Sequence, residues 1–290
     1  MSNKKVIVTG VGGQLGWSIK QLSGQYPTLD FVFTDVAEMD LTKQDSIKHF
    51  IQQNPPDYFI HCAAYTAVDK AETEKDLALA INATAVGTIA EECAKVDAKL
   101  IAISTDYVFD GNGTKPYLPY DETDPLNYYG YSKWLGEKAA LESNPQTIII
   151  RTSWVYCEHG SNFVKTMLRL MKERDELKVV DDQVGSPTYA PDLAKAILDI
   201  VIELENGNNH KGIYHFSNDG IISWFDFATA IKELSSLNCH VLPLPSAAYP
   251  TPAKRPAYSG LNKDSIQSDF HIQLKHWKLS LQVCLERLAP

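Results

Sequence analysis

Residues 5–16 read Lys5-Val6-Ile7-Val8-Thr9-Gly10-Val11-Gly12-Gly13-Gln14-Leu15-Gly16, and this stretch decides the fold. A short β-branched run enters a glycine-rich turn, and a helix pattern follows from about Gln14 to Leu22. Strand, glycine turn and helix in that order open an α/β sheet and make a cradle for a pyrophosphate. Glycines let the backbone come close to the phosphates, and a helix N-terminus offers unpaired N–H groups. The spacing Gly10-x-x-Gly13-x-x-Gly16 differs from the commonest dinucleotide fingerprint, G-x-G-x-x-G. A tight turn that binds nothing is the alternative, and its place between strand and helix favours the cradle.

Outward from this turn, strand after strand ends on polar or small residues, at the edge where open α/β sheets bind ligands. Phe31 to Thr34 ends at Asp35, whose carboxylate would accept from a ribose hydroxyl and repel a 2′-phosphate. Asp40-Leu41 precedes a helix over 43–53, with Thr42 as its expected cap. Tyr58 to Ile60 stops at His61-Cys62-Ala63-Ala64-Tyr65, where small residues let a flat ligand lie on backbone. One long helix is expected through Asn82 to about Lys95. Leu100 to Ile103 closes on Ser104-Thr105-Asp106, and a Thr105 hydroxyl there could bond a substrate oxygen. Thr147 to Arg151 ends at Thr152-Ser153-Trp154-Val155-Tyr156. Beyond it the alternation loosens: a helix over 162–173, a strand over 177–180, a turn over 182–188, a helix over 191–204. A short strand over 213–216, a helix over 224–234 and a proline-crowded 243–256 carrying Arg255 complete the pass.

The long loop 110–127 leads to Tyr129-Gly130-Tyr131-Ser132-Lys133. On a helix, positions i and i+4 share a face, so the Tyr129 phenol and Lys133 ammonium would aim at one place. A nearby cation favours the phenolate and so lowers the pH at which a tyrosine exchanges its proton. A surface helix with an aromatic stripe is the plain alternative.

At 290 residues, 44% hydrophobic and 22% charged, the chain suits one large α/β domain or a domain with a smaller appendage. Its net charge of −9 argues against nucleic-acid binding, which needs a basic face. No apolar run approaches the ~20 residues of a membrane span, and no signal-peptide core precedes the first strand. Five scattered cysteines without Cys-x-x-Cys read as reduced thiols of a cytoplasmic protein, with no metal site. The eight histidines show no ligand spacing, and no Gly-x-Ser-x-Gly elbow marks a serine hydrolase. Trp224 and Trp277 read as core.

Taken together, the glycine turn, the strand-end Ser104-Thr105 and Tyr129-x-x-x-Lys133 resemble the extended short-chain dehydrogenase/reductase family. Longer segments are similar to its members that reduce a dTDP-linked 4-keto sugar: Cys62 to Glu72, Ser104 to Phe109, Pro125 to Lys133, Arg151 to Tyr156, Asp182 to Thr188 and Pro250 to Pro256. The resemblance implies an α/β fold, a Rossmann-type doubly wound parallel sheet with a smaller C-terminal α/β substrate-binding domain. The NAD(P)-binding domain would span 1–156, with 189–212 returning to it, and the substrate-binding domain 157–188 and 213–290. The implied activity is NAD(P)H-dependent reduction of dTDP-4-dehydro-L-rhamnose at C4.

By the same resemblance, Gly10, Gly13, Gln14, Leu15 and Gly16 would hold the cofactor pyrophosphate. Asp35 would meet the adenosine ribose, Asp40 and Leu41 the adenine, and Ala63, Ala64 and Tyr65 the middle of the cofactor. Tyr129 would donate the proton, while Lys133 would hold the nicotinamide ribose and lower the tyrosine's pKa. Thr105 and Asp106 would bind the keto group, Trp154 would line the sugar pocket and Arg255 would meet the diphosphate. The cofactor would be NADPH, with NADH left open by Asp35. Some bacterial relatives hold Mg2+ across a dimer through acidic side chains, one just after a Gly-Trp of the first helix. Ser18 stands there, so the sequence gives Mg2+ no support and leaves monomer or homodimer open. The alternatives are another sugar-nucleotide reductase or epimerase, or a non-catalytic subunit like the regulator of methionine adenosyltransferase.

Overall fold

The computed structural model describes residues 3–289. Its first half alternates strands and helices: β1 (Lys4–Thr9), α1 (Gln14–Leu22), β2 (Leu29–Thr34), α2 (Gln44–Gln53), β3 (Tyr58–His61), α3 (Val68–Ala71), α4 (Lys75–Leu79), α5 (Ala85–Lys95), β4 (Lys99–Thr105), α6 (Tyr128–Ser143) and β5 (Ile148–Thr152). The second half has shorter strands: β6 (Val155–Tyr156), α7 (Phe163–Glu173), β7 (Glu176–Val180), β8 (Val184–Gly185), β9 (Thr188–Tyr189), α8 (Ala190–Glu205), β10 (Gly212–His215), β11 (Ile222–Ser223), α9 (Trp224–Leu234) and β12 (His240–Leu244). Helices α10 (Asp264–Phe270) and α11 (Trp277–Leu288) close the chain.

Six strands form one parallel sheet in the order β10-β5-β4-β3-β1-β2. The chain steps one way from β1 to β2 and the other way from β3 onward, so a crevice opens where β1 and β3 end. Open α/β sheets bind their ligands at such a reversal. Successive strand residues point to opposite faces. Val6, Val8, Ile60, Ile101, Ile148 and Ile150 therefore pack on α1 and α8, joined by Ile266 and Phe270 of α10. Ile7, Phe59, Leu100, Ala102 and Ile149 face the other way, onto α2, α5 and Ala140 of α6. The sheet is buried on both faces, as a parallel sheet requires.

Four expectations change. Residues 213–215, placed from sequence with the smaller domain, lie in β10, which pairs with β5 and so belongs to the large sheet. The helix expected through Asn82 is broken into α4, a π-helical turn over Ala80–Thr84 and α5. Thr42 does not cap α2; its hydroxyl bonds Asp40 at 2.6 Å, and α2 starts from Lys43 without a side-chain cap. The turn expected over 182–188 contains β8, paired with β11, and β9, which begins at Thr188 and pairs with β6. A second core gathers Tyr156, Val164, Met167, Leu177, Phe227 and Leu281, with Trp277 inside it as expected. The helical run Lys75–Lys95 is the one among the described residues long and apolar enough to cross a membrane, and 56% of its window is buried inside the protein.

Candidate active site

The site is built from the carboxyl ends of β1, β3, β4 and β5. At the first of these, Gly10 has φ +69°, and a Cβ there would lie 2.8 Å from the Ala63 backbone. Only glycine combines that left-handed turn with so close an approach to the end of β3. The Thr9 hydroxyl accepts from the Cys62 and Ala63 N–H groups, leaving its own proton for His61 Nδ1 at 2.9 Å. Burial, then the Lys133 charge, lowers the His61 pKa to about 3, so this imidazole is neutral.

Asp35, at the end of β2, accepts from the Gly12 N–H at 2.8 Å and from Val36 N–H at 3.0 Å. The carboxylate therefore borders the glycine turn, with Glu38 bonded to its backbone N–H. Asp40 accepts from the Thr42 backbone and hydroxyl and pairs with Lys43 at 2.9 Å. These hydrogen bonds hold its carboxyl down at about 2. Tyr65 sits where β3 leaves the sheet, and its phenol bonds Glu74 at 2.6 Å.

Thr105, at the end of β4, donates to Asp106 at 2.9 Å and accepts from Tyr107 N–H at 3.2 Å. Asp106 is buried, and burial pushes its carboxyl up to about 6 against the opposing Ser259 and Thr105 hydroxyls. Helix α6 starts at Asn127, whose side chain accepts from Gly130 N–H at 2.9 Å. This cap brings Tyr129 to the strand ends, edge-on to Tyr107 at 5.6 Å. The expected effect of Lys133 on Tyr129 is corrected here. The Lys133 ammonium donates to the Ile103 carbonyl at 2.7 Å, and burial pushes the Tyr129 phenol up to about 12. The Thr105 hydroxyl, rather than the lysine, pulls it back down. Lys133 itself is lowered to about 8 by burial, with Glu137 and Cys62 opposing the fall.

Trp154, past the end of β5, has φ +49°, an uncommon backbone for a bulky residue. Its ring stacks on Trp224 at 3.6 Å, and Trp224, expected in the core, also packs against the second core through Phe163 and Phe227. Arg255 pairs with Asp69 at 2.8 Å, and its Nη1 is buried without a hydrogen-bond partner. Asp69 also accepts from Ala253 N–H, which ties the proline-rich segment to the start of α3.

Three further residues escaped the sequence. Asn82 is buried in the π turn: it accepts from Tyr65 N–H and donates to the Tyr65 carbonyl and the Ser132 hydroxyl. Ser132 in turn donates to the Tyr129 carbonyl at 2.8 Å, so one network spans β3, the π turn and α6. His159 stacks on Trp17 at 5.1 Å and bonds the Gly12 carbonyl at 3.0 Å. Asn162 donates to Gln14 Oε1, while Gln14 Nε2 donates to the Val155 carbonyl. An asparagine inside an alanine-rich helix was the one signal available for Asn82. The contacts of His159 and Asn162 span about 150 residues of sequence and left none.

The glycine turn thus follows β1, and the Tyr129–Lys133 helix packs on β4 through the Ile103 carbonyl. The family model described as "RmlD substrate binding domain" matches residues 4–289. The spore coat polysaccharide biosynthesis protein SpsK of Bacillus subtilis is 42% identical over 283 residues, 97% of each chain. A dTDP-4-dehydrorhamnose reductase of Aggregatibacter actinomycetemcomitans is 42% identical over 289 residues, 96% of this chain and 97% of that one. The crystal structure of a dTDP-4-dehydrorhamnose reductase of Bacillus anthracis in complex with NADP superposes with a TM-score of 0.90 at 39% identity, covering 98% of this chain and 99% of that one. A family-model match over residues 4–289 places the chain in the RmlD substrate-binding-domain family.

Proposed function

We propose that this protein reduces the C4 keto group of dTDP-4-dehydro-L-rhamnose to give dTDP-L-rhamnose, with NADPH or NADH, as the last step of dTDP-rhamnose biosynthesis. The observation that carries the proposal is the meeting of Thr105, Tyr129 and Lys133 at the carboxyl ends of the sheet, beside the glycine turn.

The chain fits a dinucleotide. The Gly10 backbone lies against Ala63, where no side chain could be added, and α1 begins at Gln14 without a side-chain cap on its N–H groups. Gly10, Gly13, Gln14, Leu15 and Gly16 would hold the pyrophosphate, Asp35 the adenosine ribose, Asp40 and Leu41 the adenine. Ala63, Ala64 and Tyr65 would support the middle, and Lys133 the nicotinamide ribose. The reduced nicotinamide supplies a hydride when bound. Tyr129, protonated at neutral pH because burial lifts its pKa to about 12, is in the right state to give its proton to the developing alkoxide. Tyr129 would present its hydroxyl to that charge, the kind of preorganised donor that contributes most to such reactions, and Thr105 would join it by turning its proton away from Asp106. Trp154, backed by Trp224, would line the sugar pocket, with Asp106 beside the keto group. Arg255 has an unpaired Nη1 to offer a diphosphate.

The nucleotide-binding part would be the six-stranded sheet with its helices, and the smaller core would hold the sugar. Five free thiols suit a cytoplasmic enzyme, acting as monomer or homodimer. The test follows oxidation of NADPH, and separately NADH, as the purified protein meets dTDP-4-dehydro-L-rhamnose made in situ, with Tyr129→Phe alongside. Formation of dTDP-L-rhamnose that stops in Tyr129→Phe supports the proposal. Folded protein that binds nucleotide but oxidises neither cofactor sinks it in favour of a regulatory subunit.

A further inference from the structure

Lys133 is buried among titratable and charged groups from several elements. On α6, Tyr129 lies one turn before it and Glu137 one turn after. His61 and Cys62 face it from the end of β3, and the Ile103 carbonyl receives its proton at 2.7 Å from β4. Arg151, on β5, stands behind Glu137. Its Nε and Nη2 donate to the two carboxylate oxygens at 2.9 and 2.7 Å, and the two side chains are 2% and 4% exposed. Arg151 is fixed in turn by the Pro119 carbonyl at 3.1 Å and lies 4.9 Å over the Phe109 ring.

This is an expensive arrangement, because burying an ion pair in a core is often no more stable than packing it with apolar groups. Its placement supplies a use. Glu137 and Lys133 line one small cavity with Asn82, Ser104 and Gly136, about 10 Å³ in volume, and Arg151 does not line it. Glu137 and Lys133 are both at most 5% exposed, so little solvent can screen the carboxylate from the ammonium. A lone carboxylate would not stay ionised there, since a buried acid shifts its pKa and takes up a proton. Arginine is the partner that cannot lose its own charge, and its fork matches both oxygens.

We propose that Glu137 and Arg151 are positioning residues for the reduction: Arg151 holds the Glu137 carboxylate in the core, and Glu137 sets its negative charge beside the Lys133 ammonium. This rests on the reading of Lys133 as the cation that holds the nicotinamide ribose. Burial alone draws a lysine towards neutrality, and Glu137 opposes that fall in this protein.

The test is the pH profile of kcat/KM for Glu137→Gln, Glu137→Asp, the double variant Glu137→Gln/Arg151→Met and Lys133→Met. Glu137→Gln alone leaves a buried guanidinium unpaired and can fail to fold. The double variant removes both charges and keeps the question open to measurement. In Glu137→Gln, if it folds, the alkaline limb moves down by about one pH unit, the low end of what a close opposite charge does to a pKa; in the double variant it moves down by less, because the opposing Arg151 charge is gone as well. In Glu137→Gln activity then falls about sixfold further between pH 6.5 and 8.5 than in the unsubstituted protein, whose Lys133 sits at about 8. Glu137→Asp keeps the charge and keeps the limb, whatever stability it loses. A folded double variant with an unmoved limb, or a limb that falls equally in Glu137→Asp, overturns the proposal and leaves the pair a structural staple. A Lys133→Met protein with undiminished turnover would instead overturn the reading of Lys133 itself.

Discussion

Gly136→Ala adds one methyl group to the helix that carries Tyr129 and Lys133. In isolation it would favour the helix by ~1 kcal/mol, the difference between glycine and alanine in a helix interior. The structure reverses the sign. The added Cβ would stand 2.0 Å from the Asn82 carbonyl oxygen and 3.2 Å from its carbon, which are backbone atoms of the π turn and cannot swing aside. Either α6 or the π turn must retreat by about 1 Å, and overpacking of that kind costs ~1–3 kcal/mol. The net effect is a loss of about 0–2 kcal/mol, seen as a fall in Tm of up to a few degrees. Function suffers more than stability. Gly136 is one turn from Lys133, and a retreat pulls on the Asn82 bonds to Tyr65 and Ser132 that fix the tyrosine's helix. Misplacing a catalytic group by ~1 Å costs roughly 100-fold in turnover. The assay pairs thermal unfolding with NADPH oxidation, and Gly24→Ala, whose new methyl would meet nothing within 4 Å, is the control. A Gly136→Ala protein that unfolds and turns over like the control would show that the contact between α6 and the π turn is not what holds the site.

Tyr129→Phe should lower turnover by about 10²–10⁴-fold, the usual worth of a general acid, while NADPH binding measured by fluorescence stays near its original strength. Asp106→Asn tests the buried acid through stability. Burial pushes its carboxyl up to about 6 in the folded chain, from 3.8 for an ordinary aspartate, so its burial destabilises the fold above that window and ceases to do so as pH falls through it. The Tm advantage of Asp106→Asn over the unsubstituted protein should therefore be larger at pH 7 than at pH 4, and an advantage that does not change with pH would contradict the assignment. Trp154→Ala removes the 3.6 Å stack on Trp224 and should raise KM for the sugar nucleotide several-fold, with the KM for NADPH little changed.

The layout of the sheet was legible because its signals are local. Each buried strand is a short apolar run, and the turn at Gly10 carries its own steric reason. The Tyr129–Lys133 spacing follows from adjacent residues in the same way. What escaped depends on partners far along the chain. β10 reads as a strand, but only its pairing with β5 says which sheet it joins. The π turn comes from packing, where Asn82 must satisfy Tyr65 and Ser132 together. Lys133 could be placed on the right helix face, yet its bond to the Ile103 carbonyl depends on how deeply α6 settles onto β4. Arg255 could be picked out as a lone cation, but nothing near it in sequence announces Asp69 as its partner.

The return of the chain to the large sheet has a consequence for its synthesis. Strands β1 to β5 are translated first, yet one face of their sheet is covered in large part by Leu193, Ile197, Leu198, Ile200, Val201 and Leu204 of α8, and its edge is closed only by β10. Until residues near 215 leave the ribosome, the nascent chain carries Val6, Val8, Ile60, Ile101, Ile148 and Ile150 with that cover missing. A half-made parallel sheet of this kind is open to aggregation and is a natural client for chaperones that bind apolar surface. Chains stalled before α8 should be cut readily by protease, and chains stalled well beyond β10 should resist. Equal resistance in both would mean that the first five strands fold without waiting for the sixth.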